Sequence, residues 1–171
     1  MKALVAFGTR YGSTARTASA IAEELIAKGY QVDVWDLRDR AERDLEGYDL
    51  IVLGSGIVIG KWSKEAQTLL ATQTAVLARK RVALFAACSD VLYPEKVEAA
   101  RKAYLEDVAA GVPGLRPVAL GLFGGEVDFA KYGMLTKVLL KRVGAKKKLL
   151  SALTEIEKIG DVRDLTALAV K

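Results

Sequence analysis

The sequence predicts a doubly wound α/β domain, a five-stranded parallel sheet of order 2-1-3-4-5 with helices on both faces. Three observations lead there. Apolar runs alternate with helical patterns in regular succession. The clearest of these runs, Leu50–Leu53, is continuous rather than alternating, which suits a strand buried on both faces. Glycine, serine and threonine gather directly after four of the runs, at the sheet edge where such folds bind ligands.

The elements follow in order. A first strand, Ala3–Phe7, leads through a hydroxyl-rich turn into a helical pattern from about Ser13 to Lys28. The second strand is Gln31–Asp36, followed by a short polar helix or turn through Arg43-Asp44-Leu45. The third strand, Leu50–Leu53, ends at Gly54-Ser55-Gly56. Ser63 is placed to cap a helix running to about Ala78. The fourth strand, Arg81–Ala87, ends at Cys88-Ser89-Asp90. Pro94, a residue favoured in a first helical turn, opens a helix to about Asp107. Gly111-Val112-Pro113-Gly114 breaks the chain before a fifth strand, Pro117–Phe123, which ends at Gly124-Gly125. A last helix is expected from about Arg163 to Ala169.

Length and composition narrow the function. At 171 residues the chain reads as one domain. No apolar run approaches the roughly 20 residues of a spanning helix, and the N-terminus lacks a signal-peptide pattern, so a cytoplasmic location is expected. Histidine is absent, which removes His-based triads, His metal sites and His acid–base chemistry. Cys88 is the only cysteine, so neither an intrachain disulfide nor a thiolate metal cluster can form. No metal site and no catalytic side chain are assigned.

The richest segment is Thr9-Arg10-Tyr11-Gly12-Ser13-Thr14, between strand and helix. Hydroxyls, main-chain N–H groups and a helix N-terminus together suit a phosphate, and a plain helix cap is the alternative. The turn has neither the spacing of a dinucleotide loop nor the Lys-Ser/Thr ending of a P-loop. In a 2-1-3-4-5 sheet the switch point lies between strands 1 and 3, so Thr9–Thr14, Ser55–Trp62, Cys88–Tyr93 and Gly124–Asp128 should converge on one crevice.

These units, the Thr9–Thr14 loop and Gly54-Ser55-Gly56 resemble flavodoxins and related FMN proteins. Three further segments, Gly54–Trp62, Phe123–Tyr132 and Ile159–Asp164, are similar to the flavodoxin-domain group that includes quinone-dependent protoporphyrinogen oxidase. The resemblance spans nearly the whole chain and implies noncovalent FMN. It places the phosphate on the hydroxyls of Thr9, Ser13 and Thr14 and the amides from Arg10 through Tyr11 and Gly12 to Thr14. Arg10 either adds charge there or lies on the surface. The loop of Ser55, Gly56, Ile57, Val58, Ile59, Gly60 and Trp62 would wrap the flavin ring, its amides near N5 and O4. Trp62 either stacks on a ring or packs the loop against the following helix. Cys88, Ser89 and Asp90 would approach the pyrimidine edge through main-chain N–H groups, with Gly124 and Gly125 completing the site. Asp90 is otherwise a solvated loop carboxylate, and Cys88 a small apolar strand end. Only Tyr93 follows strand 4 as an aromatic, which leaves one flavin face open.

The resemblance implies an FMN-dependent oxidoreductase passing electrons from an organic donor to a quinone or other acceptor. The alternative is an electron carrier between redox proteins. A pI near 9.3 counts against a classical acidic flavodoxin. The basicity is local: Lys131, Lys137, Lys141, Arg142, Lys146, Lys147 and Lys148 carry seven charges with no acid between them, against a net +5 for the chain. A basic helical insertion at about 126–158 is therefore expected. Three readings fit it: a solvated face of an ordinary helix, an anionic membrane surface on the inner side of the membrane, or an acidic redox partner. Nucleic acid is not expected, since Tyr132 is the segment's one aromatic. Under the membrane reading, changing Lys146, Lys147 and Lys148 to Glu weakens salt-sensitive cosedimentation with anionic liposomes. Unchanged liposome binding counts against that reading.

Overall fold

The computed structural model describes residues 1–10, 12–39 and 43–124. Tyr11, Gly125, the basic segment Lys131–Lys148 and the expected last helix lie outside the described residues. The order is β1 (Lys2–Gly8), α1 (Ser13–Ala27), β2 (Gln31–Asp36), β3 (Leu50–Gly56), α2 (Lys64–Thr72), α3 (Thr74–Leu77), β4 (Arg81–Cys88), α4 (Pro94–Arg101), a π turn (Lys102–Glu106), α5 (Asp107–Ala110) and β5 (Ala119–Gly124). The five strands pair in parallel in the order β2-β1-β3-β4-β5, as expected.

Residues one apart along a strand face opposite sides, so each apolar run feeds two cores. Leu4, Ala6, Ile51, Leu53, Val82, Leu84 and Ala86 pack with Trp62 of the loop after β3 and with Ala66, Leu70, Leu77 and Leu105 from the helices after β3 and β4. Ala3, Val5, Phe7, Leu50, Val52, Ala83 and Phe85 pack with Ala18, Ile21, Ala22 and Leu25 of α1. Burial on both faces explains why the central strands carry no polar alternation.

Two connections differ in detail from the sequence expectation, and a third settles an alternative it left open. Between β2 and β3 the described residues form turns rather than a short helix. Asp36 accepts the Arg38 N–H and Asp44 that of Glu46, local bonds that compete with helix formation. Leu37, Leu45 and Tyr48 from this stretch still cover the sheet. The single helix expected to Ala78 is divided at Gln73. Thr72 and Thr74 hydroxyls there donate back to the Thr68 and Leu70 carbonyls, both at 2.9 Å. The helix after β4 continues to Ala110, with its π turn in the middle.

One aromatic is flanked by glycine on both neighbouring strands. Phe85 of β4 pairs with Gly54 of β3 on one side and Gly121 of β5 on the other. Its ring lies across Gly54, where any Cβ would collide with it. Phe123 meets Phe85 edge-on at a centroid distance of 6.0 Å. Gly54→Ala therefore overpacks a fully buried site and lowers stability by about 1–3 kcal/mol in urea denaturation; an unchanged midpoint would show that the ring moves aside freely.

Candidate functional site: the crevice at the C-terminal sheet edge

Parallel pairing brings the last residues of β1, β3, β4 and β5 to one edge, with the switch point between β1 and β3. Around that point the loops after β1 and β3 are in direct contact. Gly12 turns the first loop with φ 90° and stands at the N-terminus of α1. The buried Thr9 accepts the Gly12 N–H on Oγ1 at 2.8 Å and so holds the loop closed. The helix begins without a side-chain cap and without an acid in its first turn. Its positive end therefore carries no anion from its own residues.

Thr14 stands out in this setting. It is 0% exposed, and its Oγ1 is a buried polar atom without a hydrogen-bond partner among the described residues. An unpaired buried hydroxyl costs about 1–3 kcal/mol, so it marks a place where an outside group belongs. Gly56, at the end of β3, lies against it: a Cβ at Gly56 would be 2.6 Å from Thr14 Oγ1. The cradle depends on that missing side chain. An orphaned hydroxyl, a glycine cradle and an uncapped helix start are together what a phosphate monoester requires.

The β3 loop forms a tight hairpin. Val58 and Lys61 exchange both main-chain hydrogen bonds, at 3.0 and 3.2 Å, around Ile59 and Gly60. Both turn residues have positive φ, 51° and 70°, as a two-residue turn of the primed type demands. Ile59 is 92% exposed. The base is pinned: Ser63 N–H donates to Ser55 Oγ at 2.7 Å, and Ile57 N–H to the Ala87 carbonyl at 2.8 Å.

These bonds set what the expected site residues have left to offer. The Ser55 hydroxyl also donates to the Gly56 carbonyl at 2.9 Å, so its one proton is committed to shaping the loop. The amides of Ile57 and Val58 are engaged too, which leaves those of Ile59 and Gly60 at the tip. Trp62 is not a stacking platform. Its ring is 5% exposed and packs in the core, and its indole N–H donates to the Tyr104 carbonyl at 2.7 Å. Sequence left both fates of Trp62 open; burial decides for packing.

After β4, Ser89–Leu92 form a 3₁₀ turn. Cys88 is buried, and desolvation pushes its thiol up, while the Asp90 and Val91 amides beside it act in the opposite sense. The Asp90 amide therefore faces the sulfur, and Ser89, exposed at the strand end, is better placed to meet a ligand from main chain. The Asp90 carboxylate accepts the Tyr104 hydroxyl at 2.9 Å. Burial, together with that carboxylate, pushes the Tyr104 phenol up to about 12. Tyr93 sits at the start of α4 with the Lys96 ammonium 4.8 Å from its ring centre. Gly124 ends β5 beside Cys88. Arg10 is exposed next to the first loop. Tyr104 is the participant that sequence reasoning missed.

Two cavities lie away from the Thr14–Gly56 cradle. One of ≈ 760 Å³ opens between Trp35, Arg43 and α2, and one of ≈ 630 Å³ lies between α2 and α5, behind Trp62. Neither is lined by Thr14 or Gly56, whose chemistry identifies the anion site more firmly than volume does. Among the described residues no group of His, Cys, Asp and Glu could hold a metal ion.

Ile59 occupies a left-handed conformation that a β-branched residue adopts at a cost. Ile59→Asn keeps the turn with a residue suited to it and raises the stability of the cofactor-free protein by about 1 kcal/mol. A urea midpoint that stays put or falls would contradict the strained-turn reading.

A family model described as "Flavodoxin domain" matches residues 4–149. Protoporphyrinogen IX dehydrogenase (quinone) of Escherichia coli strain K12 is 26% identical over 143 residues, 84% of this chain and 78% of that protein. Oxidised flavodoxin 1 from Bacillus cereus superposes with a TM-score of 0.54 at 23% identity, over 75% of this chain and 88% of that one. A flavoprotein from Lactobacillus acidophilus, solved in complex with FMN, gives a TM-score of 0.51 at 20% identity, over 71% and 92% of the two chains. The two structures share the fold.

Proposed function

This chain belongs to the flavodoxin domain family, and from that premise we propose that it is an FMN-dependent oxidoreductase that takes electrons from an organic donor and delivers them to a quinone or similar acceptor. The observation that carries the cofactor is the orphaned hydroxyl of Thr14 in its glycine cradle. Thr14 Oγ1 and the amides that open α1 would hold the FMN phosphate. The hairpin tip at Ile59–Gly60 and the turn at Ser89 would border the ring. When bound, FMN supplies one- and two-electron chemistry.

The protein's own groups bind and orient rather than react. Cys88 is buried with its thiol held protonated, so it is no nucleophile. The chain has no histidine to relay protons. Tyr104 keeps its proton far above neutral pH and acts as a fixed donor to Asp90. Specificity for the donor then rests on shape and on the exposed rim. The 26% identical relative is named for protoporphyrinogen and a quinone, which supports testing that pair first. The basic segment Lys131–Lys148, read from sequence alone, would bring the protein to an anionic bilayer surface where a quinone dissolves.

The test starts with FMN titrated into cofactor-free protein, followed by flavin fluorescence quenching. Thr14→Val removes the orphaned hydroxyl at constant shape. It lowers FMN affinity at least about tenfold, because a hydrogen bond to a charged phosphate is lost, and raises the thermal midpoint of the cofactor-free protein. Unchanged affinity would overturn the phosphate assignment. Turnover of protoporphyrinogen with a naphthoquinone supports the enzyme; reduction that needs a partner reductase, with no turnover of small donors, points to a carrier.

A further inference from the structure

Two loops border the crevice from the β3 and β4 sides, and one residue touches both. The Trp62 indole, next to the hairpin Val58–Lys61, donates to the Tyr104 carbonyl at 2.7 Å across 42 positions of sequence. The Tyr104 hydroxyl donates to Asp90 Oδ2 at 2.9 Å, in the turn after β4. Tyr104 lies within the π turn Lys102–Glu106, where the helical ladder is interrupted. Such interruptions recur at functional sites, because an inserted residue re-aims side chain and carbonyl. Here the carbonyl serves an outside donor, and the phenol reaches in the direction of Asp90.

We propose that Tyr104 is a positioning residue that clamps the β3 hairpin and the β4 turn at a fixed separation, so that the flavin ring enters a preformed slot. The inference rests on the FMN reading above. Each end of the clamp is braced. Gln67 Nε2 donates to the Trp62 carbonyl at 2.7 Å, and the Tyr93 N–H to the Asp90 carbonyl at 3.0 Å. The Trp62 ring is buried, so the hairpin cannot shift without withdrawing an indole from the core. The high phenol pKa keeps the hydroxyl a donor throughout the physiological range. A clamp acts on binding by reducing what must be ordered when the ligand arrives.

Tyr104→Phe isolates the proposed role, since it keeps the ring and the carbonyl and removes only the bond to Asp90. Tyr48→Phe is the comparison: Tyr48 also donates to a carboxylate, Asp33, at 2.7 Å, but far from the crevice loops. For each protein we would measure FMN affinity, the midpoint potential of the FMN-loaded form and the thermal midpoint of the cofactor-free form. Tyr104→Phe is expected to weaken FMN binding about tenfold. It should also move the potential to more negative values, because an untethered carboxylate disfavours added negative charge on the ring. Tyr48→Phe should lower the thermal midpoint alone. Affinity and potential equal to wild type, or losses matched by Tyr48→Phe at equal destabilisation, would overturn the clamp. Failure of the wild type to bind FMN would instead defeat the functional reading, and the clamp with it.

Discussion

The approach of Gly56 to Thr14 is the contact on which the rest of the site depends. It joins the end of β3 to the first turn of α1 across the switch point of the sheet. Any side chain at Gly56 would push the two apart, and the gap would admit water to the threonine hydroxyl. With glycine there, the hydroxyl is sealed from solvent and left unpaired. Sealing is what gives the atom value to a ligand: an acceptor reaching it meets a donor that no water has satisfied. The β1–β3 register, Phe7 beside Gly54 and Gly8 beside Ser55, sets where the two elements end and so fixes this approach. Behind it, the Phe85 ring fills the space left open over Gly54 of β3.

Around that fixed point the loops are stiffened by the chain's own polar groups. Ser55 is used at both ends of its hydroxyl, and the hairpin closes on itself. The indole of Trp62 and the phenol of Tyr104 extend the same logic outward, converting two loops into parts of one framework. The few main-chain donors left over, at the hairpin tip and at the strand ends, are therefore presented at fixed positions. A flexible loop would lose ordering entropy on binding that this one has already given up in folding.

The sequence announced the fold almost completely, since continuous apolar runs and helical spacing both express burial, and burial is what builds this sheet. It was less informative where a local choice depended on competing hydrogen bonds, as at Thr72 and Thr74 or in the Asp36 and Asp44 turns. In the site, the turn between β1 and α1 was legible as a place of hydroxyls at a helix start, and the structure adds the burial of Thr9 and Thr14. Trp62 was not, because an indole has the same letter whether it stacks on a ligand or fills a core. Ser55 was incompletely legible for a similar reason: its hydroxyl suits a ligand, and sequence could not show that it also holds the Ser63 N–H. Tyr104 gave no signal, since its place depends on a π turn and on partners distant in sequence.

The departures from local preference cluster at this edge. Thr14 keeps an unpaired hydroxyl, Ile59 a left-handed backbone, and α1 an uncapped start. Each destabilises the cofactor-free protein, by about 1 kcal/mol or more for the hydroxyl and the strained turn. Such defects persist in a fold with two well-formed cores because the cores offset them. They are also the features a phosphate ester could repair, at least for the hydroxyl and the helix start. Ligand binding then stabilises the folded state in proportion to the logarithm of one plus the ratio of free ligand to Kd, and the strain stored at the edge becomes part of the affinity. Ile59 is the exception that sharpens the point. A phosphate at Thr14 cannot relax its backbone, so its strain belongs to the hairpin tip, where the exposed rim and not the phosphate cradle meets whatever approaches from solvent.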